Sequence, residues 1–211
     1  MKKLPYNIHD TINSGQVFLW QNQENIWFGI DGQNTIQISH KPSQTVILSK
    51  KARNFLRDDD DFSKIVKCIS KDKIVKKAIK HSPGLRITRQ DPFQCYISFI
   101  ASANSNIAKI RMCLEKLCRR FGTKARFKNR EFFLFPKPQI LASATLEEVQ
   151  QCGLGYRSSY IIDASRAVLS EKINFNFLKK TDYQTAKESL VKIPGIGNKV
   201  ADCIMLYSLE K

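Results

Sequence analysis

Ile193-Pro194-Gly195-Ile196-Gly197-Asn198-Lys199-Val200-Ala201-Asp202 stands close to the end of this 211-residue chain, after Leu190 and before Cys203-Ile204. The pattern predicts a helix, a tight Gly-x-Gly turn and a second helix that carries a lysine at its start. Pro194 ends the first helix, and Gly195 and Gly197 can take positive φ and let another backbone come close. The turn amides and the following helix N-terminus then point outward together and form a site for a phosphate. A short αα connection is the ordinary meaning of a bare G-x-G. Here ten consecutive positions of hairpin type occur in a chain of net charge +16, with Lys+Arg 35 against Asp+Glu 19. Such a field draws polyanions through counterion release.

Outward from the hairpin, Lys109 to Arg130 carries nine basic residues and a single acid, Glu115. The run has the same sign as the hairpin's expected partner and is read as a nucleic-acid-facing surface. Six cysteines (Cys68, Cys95, Cys113, Cys118, Cys152, Cys203) form no CxxC pair and have no metal-ligand spacing. They are expected to be reduced, buried small hydrophobes, with no metal and no cofactor. Met1-Lys-Lys-Leu-Pro leads into polar sequence, and the apolar run Cys95 to Ala103 is far shorter than the ~20 residues that span a bilayer. An intracellular monomer with no membrane association is the expectation.

The first fifty residues read as β, with strands Val17–Trp20, Ile26–Ile30, Thr35–Ser39 and Thr45–Leu48. Turn compositions at Asn22–Asn25, Asp31-Gly32 and Lys41–Ser43 make them an antiparallel meander. Residues 50–80 are basic and helical, interrupted by the Asp58–Asp61 run as a loop or N-cap. From Asp91 the chain is a succession of helices. Asp91-Pro92 is an N-cap with proline in the first helical position, and Asn104–Asn106 is a break. Ile107, Ile110, Cys113, Leu114, Leu117, Cys118 and Phe121 share one face of the next helix, which stops at Gly122. Residues 123–144 read as irregular. Thr145–Glu148 is a capping box for a helix that ends at Gly153, and a further helix spans about Tyr156 to Lys172. Thr181–Gln184 caps the first helix of the hairpin. The fold class is α+β: a small N-terminal antiparallel sheet with flanking helices over 1–82, then a mainly helical domain over 83–211.

Three further segments share the character of the hairpin: Gly15-Gln-Val-Phe-Leu-Trp20, Gln90-Asp-Pro-Phe-Gln-Cys-Tyr-Ile-Ser-Phe-Ile100 running into Asn104-Ser-Asn106-Ile-Ala-Lys109, and Gly153-Leu-Gly-Tyr156-Arg157-Ser-Ser-Tyr160. In order and spacing the four resemble the 8-oxoguanine DNA glycosylase family, whose members carry a helix-hairpin-helix. The resemblance implies removal of oxidised guanine from duplex DNA, followed by strand cleavage through a lysine Schiff base, with Lys199 as nucleophile. It implies backbone contacts to DNA at Gly195, Gly197 and Val200. Tyr156 would be the wedge that buckles the duplex, with Arg157 and Asn104 contacting the estranged cytosine. Lys109 stands where members often have arginine, which keeps the charge without the planar fork. Ser105 replaces an asparagine of several members. Gly15 would offer its carbonyl to the hydrogen that 8-oxoguanine carries on N7 and guanine lacks. Cys203, four residues after Lys199, shares its helix face and would line the base pocket.

The resemblance implies a catalytic aspartate a short way beyond the hairpin, in a Val-Asp segment outside residues 1–211, and Asp202 is not expected to replace it; residues 1–211 by themselves are expected to bind DNA but to cleave poorly or not at all. Two other classes fit parts of the pattern. A non-enzymatic hairpin module would need no Tyr156-Arg157 pair and no Lys199, and an endonuclease III-like enzyme usually lacks the N-terminal sheet.

Overall fold

The computed structural model describes residues 6–39, 47–127 and 130–211. The chain divides into two compact units: residues 1–29 with 36–89, and residues 30–35 with 90–211. The fold is α+β, with a small antiparallel sheet first and helices after it.

The sheet runs in the order β1 (Trp20–Gln23), β2 (Ile26–Asp31), β3 (Asn34–Ser39), β4 (Ile47–Leu48). The β1–β2 hairpin closes on Glu24 and Asn25, both at positive φ (50° and 64°), the backbone that matches the twist of the flanking strands. Two expectations fail here. Val17–Leu19 is buried without joining a strand, so β1 starts at Trp20. Ile8–Asn13 is a helix, α1, capped by the Asn7 side chain, which accepts from the Asp10 amide. Its period was hidden because so short a helix shows only Ile8, Thr11 and Ile12 inward. Trp20 pairs with Gly29, and a Cβ on that glycine would lie 2.1 Å from the indole, so the missing side chain makes room for the ring. Ile8, Ile12, Trp20, Trp27, Ile36, Ile38 and Phe55 form the core of this unit. The expected Lys41–Ser43 turn and the Thr45-Val46 half of the last strand lie outside the described residues.

Helices α2 (Lys50–Phe55), α3 (Phe62–Ile69) and α4 (Lys73–His81) follow. The acidic run resolves into separate tasks, with Asp61 capping α3 and Asp59 bridging Arg89 at 3.0 Å. Residues 83–89 stay with this unit. The Gln16 amide group donates to Arg86 O (2.9 Å) while its carbonyl accepts from Thr88 N (2.9 Å).

In the second unit the buried helix α5 (Pro92–Ser102) is capped by Asp91 as expected. Asp31, at the tip of the β2–β3 hairpin, accepts from the Asp91 amide at 2.7 Å. Burial pushes the Asp31 carboxyl up to about 7, against that hydrogen bond and with a further push from the Asp91 charge. Helix α6 (Ile107–Phe121) is capped by Asn106 and buries Ile110, Cys113, Leu114, Leu117 and Cys118. Ile107, expected on that face, is 42% exposed because it sits in the first turn, ahead of the surface that covers the others. The stretch read as irregular holds a β-hairpin, β5 (Lys124–Phe127) with β6 (Arg130–Phe133), and helix α7 (Pro138–Ser143). Only four residues form each strand, and they alternate on a half-exposed surface, so no apolar period announced them.

Helix α8 (Leu146–Val149) has the expected capping box and continues through a π-turn in which Gly153 sits at φ 86°. Helix α9 (Arg157–Leu169) packs along α7. A short helix missed by sequence, α10 (Phe175–Lys180), precedes α11 (Tyr183–Val191) and α12 (Asn198–Ile204), which runs into a π-turn over Met205–Leu209. The cap of α11 comes from the expected Thr181–Gln184 segment, and the residue is Asp182. Of the cysteines, Cys95, Cys113, Cys118 and Cys152 are buried free thiols, whereas Cys68 is exposed, contrary to expectation. It lies on α3, which has no buried residue. Among the described residues no helix is long and apolar enough to cross a membrane.

Candidate functional site

The hairpin is built by its apolar residues. Leu190, Ile193, Ile196 and Val200 are 0%, 2%, 5% and 7% exposed, so alternate turns of α11, the loop and α12 are pinned inward. That pinning presents Gly197, Asn198 and Lys199 outward, all exposed. Gly195 takes φ 87°, as expected. Gly197 does not: it is the N-cap of α12 at φ −91° and ψ 178°, the extended geometry that starts a helix. Its use is space, since a Cβ there would meet nothing within 4 Å. A Cβ on Gly195 would instead stand 2.6 Å from Tyr160 Cδ2. The two glycines of one motif therefore differ: Gly195 is required by the fold, whereas Gly197 leaves open space at the helix start.

Lys199 and Val200 are the second and third residues of α12. Amides in the first turn of an α-helix have no intrahelical acceptor, so the Gly197–Val200 backbone offers several donors at the positive end of the helix. Val200 takes part through its backbone alone, because its side chain is buried. Lys199 is exposed at this end, with Cys203 one turn on. Burial raises the Cys203 thiol, and the Lys199 charge opposes that rise, which places the two side chains within electrostatic reach.

Asp202, on the same helix, is engaged elsewhere. Its carboxylate accepts from the Tyr183 hydroxyl at 2.7 Å and pairs with Lys187 Nζ at 2.9 Å, both from α11. These partners hold it below the usual carboxylate range, the Tyr183 hydrogen bond first. The trio ties the two helices of the hairpin together. Tyr183 and Lys187 at i, i+4 were the available signal, but their shared partner comes from another helix.

The second cluster joins two segments more than fifty residues apart. Arg157 is buried at 4% exposure, and its guanidinium donates to Leu154 O (3.2 Å), Ala103 O (2.6 Å) and Asn104 O (3.5 Å). The arginine thus holds the break between α5 and α6 against the start of α9. Asn104 is exposed at φ 49°, a left-handed position that asparagine tolerates. Ser105 keeps its hydroxyl buried with no hydrogen-bond partner among the described residues. Lys109 is exposed in the first turn of α6, with its amide donating to the Asn106 cap.

Tyr156 is 58% exposed, the stance expected of a wedge. Its ring lies edge-on to Tyr160 (5.9 Å between centroids) and 5.5 Å from the Arg157 guanidinium carbon. Tyr160 is the residue that sequence reasoning left without a role. It touches the Tyr156 ring on one side and stands over Gly195 on the other, so one ring links the two clusters. Gly15, in the first unit, has φ 86° just after α1, and the Gln16 bonds described above fix the segment that follows it.

Comparison with known proteins places this geometry. Residues 1–96 match the family model described as 8-oxoguanine DNA glycosylase, N-terminal domain. Residues 97–201 match the HhH-GPD superfamily base excision DNA repair protein model. The chain is 36% identical over 160 residues to the probable N-glycosylase/DNA lyase of Methanothermobacter thermautotrophicus, covering 66% of this chain and 51% of that protein. It is 29% identical to the N-glycosylase/DNA lyase OGG1 of Arabidopsis thaliana, over 95% of this chain and 60% of that protein. The chain thus spans between half and three-fifths of the length of these two relatives. Clostridium acetobutylicum 8-oxoguanine glycosylase/lyase, solved with double-stranded DNA containing cytosine opposite 8-oxoG, superposes with a TM-score of 0.91 at 30% identity, covering 98% of this chain and 74% of that one. With the hairpin, the Tyr156-Arg157 cluster and both family models in agreement from residue 1 to 201, the chain belongs to the 8-oxoguanine DNA glycosylase family.

Proposed function

We propose that this protein excises 8-oxoguanine from duplex DNA and cleaves the strand by β-elimination, with Lys199 as the covalent nucleophile. The observation that carries the reading is the exposed lysine at the second position of α12, two residues after a glycine N-cap that has open space beside it. A phosphate held by the Gly197–Val200 amides keeps the backbone in register and brings a sugar within reach of the lysine. The names of the relatives, N-glycosylase/DNA lyase, support the same reaction class.

In the first step the Lys199 amine attacks the sugar C1′, the glycosidic bond breaks, and the base leaves with the bonding electron pair and takes up a proton. Loss of a proton from the nitrogen and opening of the ring give an imine. Removal of a C2′ proton then expels the 3′ phosphate. Tyr156 is proposed to fill the gap left by the flipped nucleotide, with Asn104 and Arg157 reading the opposite cytosine and Lys109 contacting the phosphate backbone. Gly15 is proposed to offer its carbonyl to the N7 hydrogen of 8-oxoguanine, and Cys203 to line the base pocket. The protein is proposed to act as an intracellular monomer.

Borohydride reduces the imine to a stable amine, so a protein that includes the Val-Asp segment expected beyond the hairpin should become covalently trapped on an 8-oxoguanine:cytosine duplex. Lys199→Gln should abolish the trapped species. Trapping that survives Lys199→Gln would reassign the nucleophile.

A further inference from the structure

Among the described residues, a dense unpaired positive charge lies outside the residues used so far. Helices α3 and α4 with their connection carry Lys64, Lys67, Lys71, Lys73, Lys76, Lys77 and Lys80, every one exposed. None of the seven pairs with a carboxylate among the described residues. The acids nearby are spent on caps, Asp61 at the start of α3 and Asp72 at the start of α4. The other basic stretch, from α6 to β6, is partly neutralised, by one acid of its own and by one from α8. Arg120 bridges Glu148 at 3.3 Å, Lys124 bridges Glu131 at 2.7 Å, and Arg119 lies over the Phe133 ring at 5.4 Å.

The arrangement is ordered. On α4 the lysines fall at i, i+3, i+4 and i+7, one side of the helix, with Ile74, Val75, Ala78 and Ile79 on the other. At 1.5 Å per residue the stripe is about 10 Å long. One DNA strand advances about 3.4 Å along the duplex axis per phosphate, so the stripe spans roughly three phosphates. Lysine ammonium groups on flexible stems suit phosphates whatever the base sequence.

An anionic lipid surface would need an apolar face to insert. Ile65 and Ile69 are 40% and 46% exposed, and Val75 and Ile79 are half-buried, so Ile74 at 78% is the only large apolar side chain that stands mostly free. Three exposed isoleucines, two of them still more than half covered, among seven ammonium groups favour a polyanion in water over a bilayer.

We propose that the α3–α4 lysine face is a second contact for the phosphate backbone of duplex DNA, separate from the hairpin and indifferent to sequence and damage. It rests on the duplex-binding reading given above, and its effect would be to hold undamaged DNA while lesions are sought.

The test uses the full chain with Lys73, Lys76, Lys77 and Lys80 all replaced by glutamine, and in a second variant all by arginine. Binding to an undamaged 30-base-pair duplex is followed by fluorescence anisotropy from 50 to 200 mM salt, with circular dichroism to verify helix content. Each phosphate contact contributes about 0.9 to the slope of log affinity against log salt. The glutamine variant should therefore lose about 2–4 of slope and at least tenfold in affinity at 50 mM, and the arginine variant should keep both. An unchanged slope in a folded glutamine variant overturns the proposal. So does an unchanged duplex affinity accompanied by lost binding to vesicles of anionic phospholipid or to polyglutamate. Failure of the glycosylase reading would appear separately, as no borohydride trapping by a protein that includes the Val-Asp segment, without altering the slope measurement.

Discussion

Replacing Gly195 with alanine tests the hairpin where its geometry is tightest. Two costs add. At φ 87° an L side chain is strained, by about 1–2 kcal/mol. The new methyl would also stand 2.6 Å from Tyr160 Cδ2, 2.9 Å from Cγ and 3.0 Å from Cβ, so the ring or the loop must shift, a further ~1–3 kcal/mol. The sum of about 2–5 kcal/mol corresponds to a fall in melting temperature of roughly 5–15 °C for a chain of this size. The two parts separate in a Tyr160→Ala background. That change removes Cδ2 and Cγ and leaves only the 3.0 Å approach of Cβ, so Gly195→Ala should then cost about 1–2 kcal/mol. Urea unfolding of the wild type, both single variants and the double variant gives the coupling energy, expected at about 1–3 kcal/mol. Equal cost of Gly195→Ala in both backgrounds would refute the overlap with Tyr160. A cost below about 0.5 kcal/mol in the wild type would refute the left-handed turn itself.

Gly197→Ala should behave in the opposite way, changing stability by no more than about 1 kcal/mol because its φ is −91° and its Cβ meets nothing. It should nevertheless weaken duplex binding about tenfold or more, a loss that anisotropy would read against an unchanged unfolding curve. Arg157→Ala should cost more on an 8-oxoguanine:cytosine duplex than on 8-oxoguanine:adenine, by the ~1–3 kcal/mol of a base-edge contact; it should also lower stability, since three carbonyls lose their donor. Equal loss of single-turnover rate on both duplexes would leave Arg157 a purely structural tie. Tyr156→Ala should lower that rate on every pairing while leaving the melting temperature nearly unchanged, because the ring is mostly exposed. For Asp31 the folded carboxyl titrates at about 7, so between about pH 4 and 7 the folded state holds more protons than the unfolded chain and stability falls as pH rises. Asp31→Asn keeps an acceptor for the Asp91 amide and should flatten that fall, by an amount on the order of a few kcal/mol; a thermal melt at pH 8 no more stable than the wild type's would remove the carboxyl from the account.

Much of the second unit was legible in sequence because its signals are local. Asp91-Pro92, the Asn104–Asn106 break, the Thr145–Glu148 box and Gly122 act within one helical turn, and each occupies its expected place. The first unit was less legible. Helix α1 and strand β1 are too short to display a period. In the second unit the exception is the β5–β6 hairpin, which lies half-exposed, so burial never imprinted a pattern on its residues.

The hairpin divides in the same way. Ile193-Pro-Gly-Ile-Gly-Asn-Lys199 by itself determined a helix, a turn and a second helix with a lysine in its first turn, because proline, glycine and apolar spacing constrain the backbone over a few residues. Only the tertiary structure decided which glycine needs its left-handed φ and which needs open space, since that depends on Tyr160, thirty-five positions earlier, standing over Gly195 and on nothing standing over Gly197. The structure alone also showed Arg157 holding the carbonyls at 103 and 104, and Asp202 bound to α11 rather than facing a substrate. A side chain's hydrogen bonds go to whatever the fold brings within about 3 Å, and sequence neighbours do not record that.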